Sequence, residues 1–139
     1  MILTLIVSLR GTELLNNGPI IKVAIGKPSD YANPTTVRAL IDTGAAFTIV
    51  NPALAGSCQL LQRGKTLVHA VGHRDYYLEY AASIQFPDSD LRSLRVHPVV
   101  ACPIFHREMS CLIGRGILQY WELRYNGLPG QFSIQDLRP

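Results

Sequence analysis

Residues 39–50, with the sequence ALIDTGAAFTIV, decide how this chain is interpreted. The segment places one carboxylate, that of Asp42, between two apolar runs and directly before Thr43 and Gly44. A charge in apolar surroundings must be paired, hydrogen-bonded or neutralised, so Asp42 requires a specific local environment. An Asp-Thr-Gly tripeptide alone is usually a turn in which the carboxylate caps the backbone. Its chemistry therefore depends on what the rest of the chain supplies.

A second informative segment is CLIGRGIL, residues 111–118. Apolar residues precede Gly114 and Arg115, and the apolar spacing that follows predicts a short helix. The glycines do not indicate a dinucleotide-binding loop, because neither a third glycine nor a βαβ pattern accompanies them.

Elsewhere the pattern predicts a mainly β protein, because turn residues separate short apolar runs and few windows have a helical period. The Asn-Gly pair at residues 17–18 favours a tight turn, which predicts a first hairpin. We predict only the one helix after Gly114 and a single domain over residues 1–139. The predicted strands are a first hairpin of residues 3–9 and 19–25, strands at 36–41, 47–50 and 94–101, a long hairpin at about 67–86 with its polar tip at 72–75, and a closing hairpin at 121–134.

Composition excludes several classes of protein. The chain has 139 residues, of which 47% are hydrophobic and 17% charged, so it can bury a core of its own. The net charge of +3 is scattered along the sequence, which argues against a nucleic-acid partner. No apolar run approaches the roughly 20 residues of a membrane helix. The opening residues lack the pattern of a secretory signal and the 3 cysteines lack a disulfide spacing, so we expect a cytoplasmic protein.

The two segments together resemble those of the retropepsin-like aspartic proteases, the single-lobe family of retroviral proteases and their bacterial relatives, and the chain resembles the bacterial members. The shared order is an N-terminal hairpin, the Leu-Ile-Asp-Thr-Gly-Ala turn, a flap hairpin, an apolar-apolar-Gly-Arg segment and a C-terminal strand. The resemblance implies a closed or partly closed β-barrel with one short C-terminal helix, and the activity of an aspartic endopeptidase.

The resemblance also implies roles for particular residues. Asp42 would be catalytic, within an active-site loop that continues through Thr43, Gly44 and Ala45, and Thr43 would hydrogen-bond to the partner's loop. The long hairpin would be the flap that closes over substrate. The residues implied to contact substrate from the flap are Val71, Gly72 and His73, and those implied to support the site are Ile113, Gly114 and Arg115.

The number of catalytic carboxylates has a direct consequence. An aspartic protease activates water between two carboxylates that share one proton, whereas Asp-Thr-Gly or Asp-Ser-Gly occurs once here. A working site therefore requires a homodimer with its twofold axis between the two Asp42 side chains. The expected substrate is an extended polypeptide. We expect neither a cofactor nor a metal, because the spacing of Cys102, His106 and Cys111 matches no standard zinc module.

The chain departs from the family pattern at two places. Many retroviral members carry an acid soon after Asp-Thr-Gly that pairs with the Gly-Arg arginine, whereas this chain has Ala45 and Ala46, so Arg115 must find another partner. Gly116 replaces the usual Asp or Asn. These departures leave an alternative open, a catalytically inactive retropepsin-fold module for dimerisation or peptide binding.

Overall fold

The computed structural model describes residues 3–70, 72–105 and 108–138. Within these ranges it contains ten β-strands, three short α-helices and a 3-10 turn at Pro28–Asp30. The strands are β1 (Leu3–Ser8), β2 (Ile20–Gly26), β3 (Thr35–Ile41), β4 (Thr48–Val50), β5 (Leu61–Ala70), β6 (His73–Gln85), β7 (Leu94–Ala101), β8 (Cys111–Ile113), β9 (Trp121–Asn126) and β10 (Gln131–Asp136). The helices are α1 (Glu13–Asn17), α2 (Pro52–Ser57) and α3 (Arg115–Leu118).

Six strands form a closed barrel, which confirms the predicted fold class. They are hydrogen-bonded in the order β2-β3-β8-β4-β7-β6, and pairing of β2 with β6 closes the ring. β5 extends the sheet beyond β6. The barrel encloses fully buried aliphatic side chains such as Val23, Ile25, Ile84, Val99 and Ile113. Burying such side chains is the main stabilising contribution to the fold.

The path of β8 positions the site. This strand lies between β3 and β4, parallel to β3 and antiparallel to β4. Because β3 and β4 flank the Asp-Thr-Gly turn, the Gly114 and Arg115 that follow β8 arrive beside that turn. Two segments far apart in sequence thereby become neighbours.

The first predicted hairpin is wrong, because β1 pairs with β10 and not with β2. The register runs antiparallel from Leu3 opposite Asp136 to Ser8 opposite Gln131. Residues predicted to make the turn belong instead to α1, which buries Leu14. Gly18 has a positive φ of +78° and lies at the end of this helix. The Asn-Gly pair therefore marks the end of α1 and not a hairpin turn.

The described residues also contain more helices than the one predicted. The predicted helix is present as α3, while α1 and α2 are additional, with five and six residues. Helices this short do not complete enough turns to show a helical period in the sequence. α2 begins at Pro52, in the position where proline is favoured, and buries Leu54 and Ala55. None of the described helices has the length and apolar character that crossing a membrane requires.

The second sheet, in the order β1-β10-β9, is anchored by an ion pair at its C-terminal end. Arg138 binds both carboxylate oxygens of Asp136, Nε to Oδ1 at 3.0 Å and Nη2 to Oδ2 at 2.6 Å. Arg92 donates its N–H to the same carboxylate at 3.1 Å, and its carbonyl accepts a bond from Arg138 at 2.8 Å. Burial alone would raise the pKa of Asp136, but the bonds from Arg138 and Arg92 outweigh it and lower the pKa.

Asp136→Asn is expected to lower the free energy of unfolding by about 2 kcal/mol at neutral pH, because it weakens charge-assisted bonds to a buried group. The folded-state pKa lies below the unfolded value, so this stabilisation is lost as the pH falls through the folded-state pKa. Urea unfolding at neutral and strongly acidic pH should show the two proteins converging in acid. Glu122→Gln, which breaks the exposed pair with Arg124, is the control and should change stability by less than about 0.5 kcal/mol. A difference for Asp136→Asn that persists unchanged in acid would contradict the assignment.

Candidate active site

Asp42 follows β3 and is held by backbone hydrogen bonds. Its N–H donates to the carbonyl of Ile113 at 2.9 Å, which ties the turn to β8. The N–H of Gly44 donates to Asp42 Oδ1 at 2.9 Å, and the N–H of Ala45 donates to the Asp42 carbonyl at 3.2 Å. The carboxylate is half-buried, while Thr43 and Gly44 are exposed. The turn therefore orients a carboxylate at the protein surface without an ion pair to neutralise it among the described residues.

The two glycines of the site are required for close approach and not for a left-handed backbone, since neither has a positive φ. A Cβ on Gly44 would lie 3.2 Å from Asp42 Oδ1, tighter than an ordinary contact. A Cβ on Gly114 would lie 2.1 Å from the carbonyl oxygen of Phe47 and 2.9 Å from that of Ala45. The backbone of the Gly-Arg segment thus packs directly on the backbone of the Asp42 loop.

Arg115 finds its partner in the backbone of the Asp42 loop. Its Nη1 donates to the carbonyl of Thr43 at 2.8 Å, and its N–H donates to the carbonyl of Ala45 at 2.8 Å. The adjacent N–H of Gly116 donates to the carbonyl of Ala46 at 3.1 Å. The loop is therefore held in place although Ala45 and Ala46 supply no acid.

A groove of about 710 Å³ opens beside the carboxylate. Of the predicted site residues, Asp42, Gly44, Ala45 and Arg115 line it. The end of β5, residues 67–70, lies across from them, so the long hairpin borders the groove as predicted for a flap. The other lining residues are mostly apolar, and they are Ala46, Phe47, Ile49, Cys102, Pro103 and Leu112. The groove offers apolar contacts and one carboxylate.

The flap hairpin is longer than predicted and its tip is tighter. It extends from Leu61 to Gln85, and its last strand pair joins Ala70 to His73. Gly72 lies at this tip with a φ of +70°, whereas residues 73–75 are part of β6 and not of the tip. Val71 lies outside the described residues.

Two histidines of the flap hairpin, His69 and His73, lie in different places relative to the groove. His73 is exposed, with Nε2 3.5 Å from the Tyr77 hydroxyl, and it is not among the groove-lining residues. His69, a residue of β5, lines the groove.

Sequence reasoning missed Thr48 as part of the site. Its side chain is buried, with 1% of its surface exposed, and Oγ1 accepts a bond from the N–H of Gly114 at 3.4 Å. The available signal was one hydroxyl residue within the apolar run of residues 47–50. Thr48 therefore supports the contact between the two site segments.

Burial makes Cys111 an unsuitable nucleophile to compete with Asp42. Burial raises the pKa of the Cys111 thiol to about 12, so the thiol stays protonated near neutral pH and is a poor nucleophile. Cys58, Cys102 and Cys111 are all free thiols. His106, the third residue of the rejected zinc set, lies outside the described residues.

A closed β-barrel with an Asp-Thr-Gly turn packed on a Gly-Arg strand end is the arrangement of a single-lobe aspartic protease fold. The model of the retroviral aspartyl protease family matches residues 15–126, and the chain belongs to that family. Among solved structures it is similar to the EIAV protease in complex with an inhibitor, with a TM-score of 0.51 and 22% identity over 81% of this chain and 92% of that one. No curated protein sequence matches the chain significantly. The comparisons confirm the family and the fold, and the resemblance to bacterial members stays a prediction.

Proposed function

We propose that this protein is an aspartic endopeptidase that cleaves polypeptides with a water activated by Asp42 and the Asp42 of a second copy. The single observation that carries the proposal is the Asp42 carboxylate, held by the Gly44 N–H at the edge of a groove that the flap borders. Membership of a protease family supports the same chemistry.

The proposed mechanism uses two carboxylates that share one proton. Two carboxylates in close contact cannot both be ionised, so one takes a proton from water while the other donates a hydrogen bond to the substrate carbonyl. The activated water attacks the carbonyl carbon, and the proton is then transferred to the leaving amine as the amide bond breaks. Each copy supplies half of this site.

The groove favours an extended polypeptide with apolar side chains near the cleaved bond. Its lining includes Phe47, Ile49, Leu67 and Leu112, and an extended segment can present side chains to such surfaces alternately. β5 lies at the edge of its sheet, so its outer backbone groups are available to a peptide strand. Flap movement would admit the chain and exclude water.

Specific activity is expected to fall on dilution. Well below the dimer dissociation constant the dimer fraction is proportional to protein concentration, so a tenfold dilution should lower the activity per chain about tenfold. The measurement is hydrolysis of unfolded casein over a range of enzyme concentrations, with sedimentation of the same samples. A sedimenting monomer that keeps its full activity per chain would refute a shared site.

The alternative function, an inactive module for dimerisation or peptide binding, predicts a different result when the protein is incubated with a peptide. Such a protein would dimerise and bind an extended peptide, and the peptide would remain intact at every concentration of protein. Mass spectrometry of the incubated peptide separates the two functions.

A further inference from the structure

The two faces of the flap hairpin differ in charge, and the register of β5 with β6 shows which residues share a face. Directly paired residues project to the same side, whereas successive residues along a strand project to opposite sides. Tyr80 and Ala82 of β6 face the barrel, since both pack with the hydrophobic core. The face that continues from them toward the tip, called here the inner face of the flap, consists of Lys65, Leu67 and His69 of β5 and of Arg74, Tyr76 and Leu78 of β6.

The inner face borders the groove. Leu67 and His69 both line it. Leu67 pairs with Tyr76, whose side chain is 64% exposed, and His69 pairs with Arg74. The basic pair lies closer to the tip of the hairpin than the apolar pair does. An extended chain in the groove therefore meets apolar surface and basic groups on the same face of the flap.

The inner face carries three basic side chains and no acidic one. Lys65, His69 and Arg74 are exposed, and none of them forms an ion pair within the described parts of the chain. Side chains directly opposite each other on a sheet are about 5 Å apart, so His69 and Arg74 repel each other when the imidazole is protonated. A bound anion relieves that repulsion and contacts both groups at once.

The acidic residues of the hairpin, Asp75 and Glu79, lie on the other face, because each alternates with residues of the inner face. Both already accept hydrogen bonds. Asp75 Oδ1 accepts the N–H of Tyr76 at 2.7 Å, and Glu79 Oε1 accepts the hydroxyl of Thr66 at 3.1 Å. Strand alternation therefore separates the charges of the hairpin and leaves the basic residues of the inner face for a ligand.

We propose that the polypeptide bound in the groove carries an acidic side chain, which Arg74 and His69 bind from the flap beside the apolar residues near the cleaved bond. This assignment rests on the proposed function, whose substrate it specifies as an acidic polypeptide. The guanidinium of Arg74 donates to both oxygens of a carboxylate, and the imidazole of His69 adds a further donor. The net charge of +3 favours the encounter with such a substrate.

The test compares pairs of peptides that differ only by Glu or Gln at one position, with that position moved along a common apolar sequence. Binding is measured by fluorescence anisotropy with the full chain carrying Asp42→Asn, so that no peptide is cleaved during the measurement. At the position that reaches the flap, the Glu peptide should bind about tenfold more tightly than its Gln twin. Added salt should reduce this difference, because it screens exposed charges.

Variants of the flap identify the groups responsible. Arg74→Gln should make the two peptides bind equally, whereas Arg74→Lys should keep most of the difference because the charge remains. His69→Gln, the other half of the basic pair, should reduce the difference about threefold. Lys22→Gln is the matched control, because it removes an exposed positive charge of β2 outside the groove lining, and it should leave the difference unchanged. Circular dichroism of each variant verifies the fold.

Three results would overturn the inference. They are equal binding of the Glu and Gln peptides at every position, a preference for Glu that persists unchanged in the folded Arg74→Gln protein, and a chain that binds none of the peptides. The proposed function fails separately. A parent protein that prefers the Glu peptides but leaves every peptide intact would refute cleavage and keep the acidic specificity, and cleavage without that preference would do the reverse.

Discussion

Asp42→Asn is expected to reduce peptide hydrolysis by at least about a thousand-fold while leaving the fold intact. An amide cannot take a proton from water, and loss of the general base accounts for a decrease of this size. The Asn side chain keeps an oxygen in the position that accepts the Gly44 N–H, and the backbone bond from Asp42 to Ile113 does not depend on the side chain. The loop should therefore keep its conformation.

The measurement pairs turnover of a peptide substrate with circular dichroism and urea unfolding on the same samples. Asp90→Asn is the matched control, because Asp90 is an exposed carboxylate in the loop before β7 and should keep full activity. Hydrolysis by the Asp42→Asn protein at the rate of the parent would rule out an aspartic mechanism for this protein. A loss of activity accompanied by unfolding would instead assign Asp42 a structural role.

Gly114→Ala is expected to destabilise the protein by about 4 kcal/mol or more, among the largest effects of a single substitution. The new Cβ would lie 2.1 Å from the oxygen and 2.5 Å from the carbon of the Phe47 carbonyl. Both are backbone atoms of the segment between Asp42 and β4, so no side-chain rotation relieves the contact. Either β8 or the Asp42 loop must move, and a typical domain has only 5–15 kcal/mol of stability to lose.

Gly116→Ala, two residues further on, is the matched control. Its Cβ would meet the carbonyl oxygen of Ala46 at 3.7 Å and the His97 ring at 3.8 Å, which are ordinary contacts. Because Gly116 lies in α3, alanine should hold or slightly raise the free energy of unfolding, by up to about 1 kcal/mol. Urea unfolding of both variants checks the pair. Equal midpoints for Gly114→Ala and the parent would show that the backbones are not in close contact.

Some strand pairings were predicted correctly from the sequence and others were not, and the difference depends on whether the paired strands are neighbours in the chain. The β5–β6 flap and the β9–β10 closing hairpin join neighbouring segments through turns that the sequence marks with glycine, and both were predicted. β1 was assigned to the wrong partner because its own alternation of residues suits any strand edge. Its pairing with β10 joins the two ends of the chain, and only long-range packing selects it.

Arg115 illustrates a second limit of sequence reasoning. The absence of an acid at residues 45 and 46 is evident from the sequence, which predicts another partner for Arg115 without indicating which one. The actual partner is the carbonyl of Thr43, and every residue type has such a carbonyl. A backbone acceptor leaves no mark on composition or spacing, so only the fold reveals it.

The cytoplasmic location and the substrate contact by His73 stay predictions. The catalytic dimer and its extended polypeptide substrate stand as proposals. Their tests are biochemical, since each concerns a partner or a compartment and not the conformation of one chain.

The sequence by itself determined the mainly β class and the family resemblance, and it predicted Asp42 as the catalytic carboxylate and a second chain to complete the site. These follow from residue types and short spacings, because the Asp-Thr-Gly and Gly-Arg motifs are each recognisable from a few adjacent residues. The tertiary structure decided that β8 lies between β3 and β4, that Gly114 must lack a side chain, and that Arg115 binds the carbonyl of Thr43. Each of these depends on contacts between residues distant in the chain, and the free energy of such contacts is set by packing that no single segment encodes.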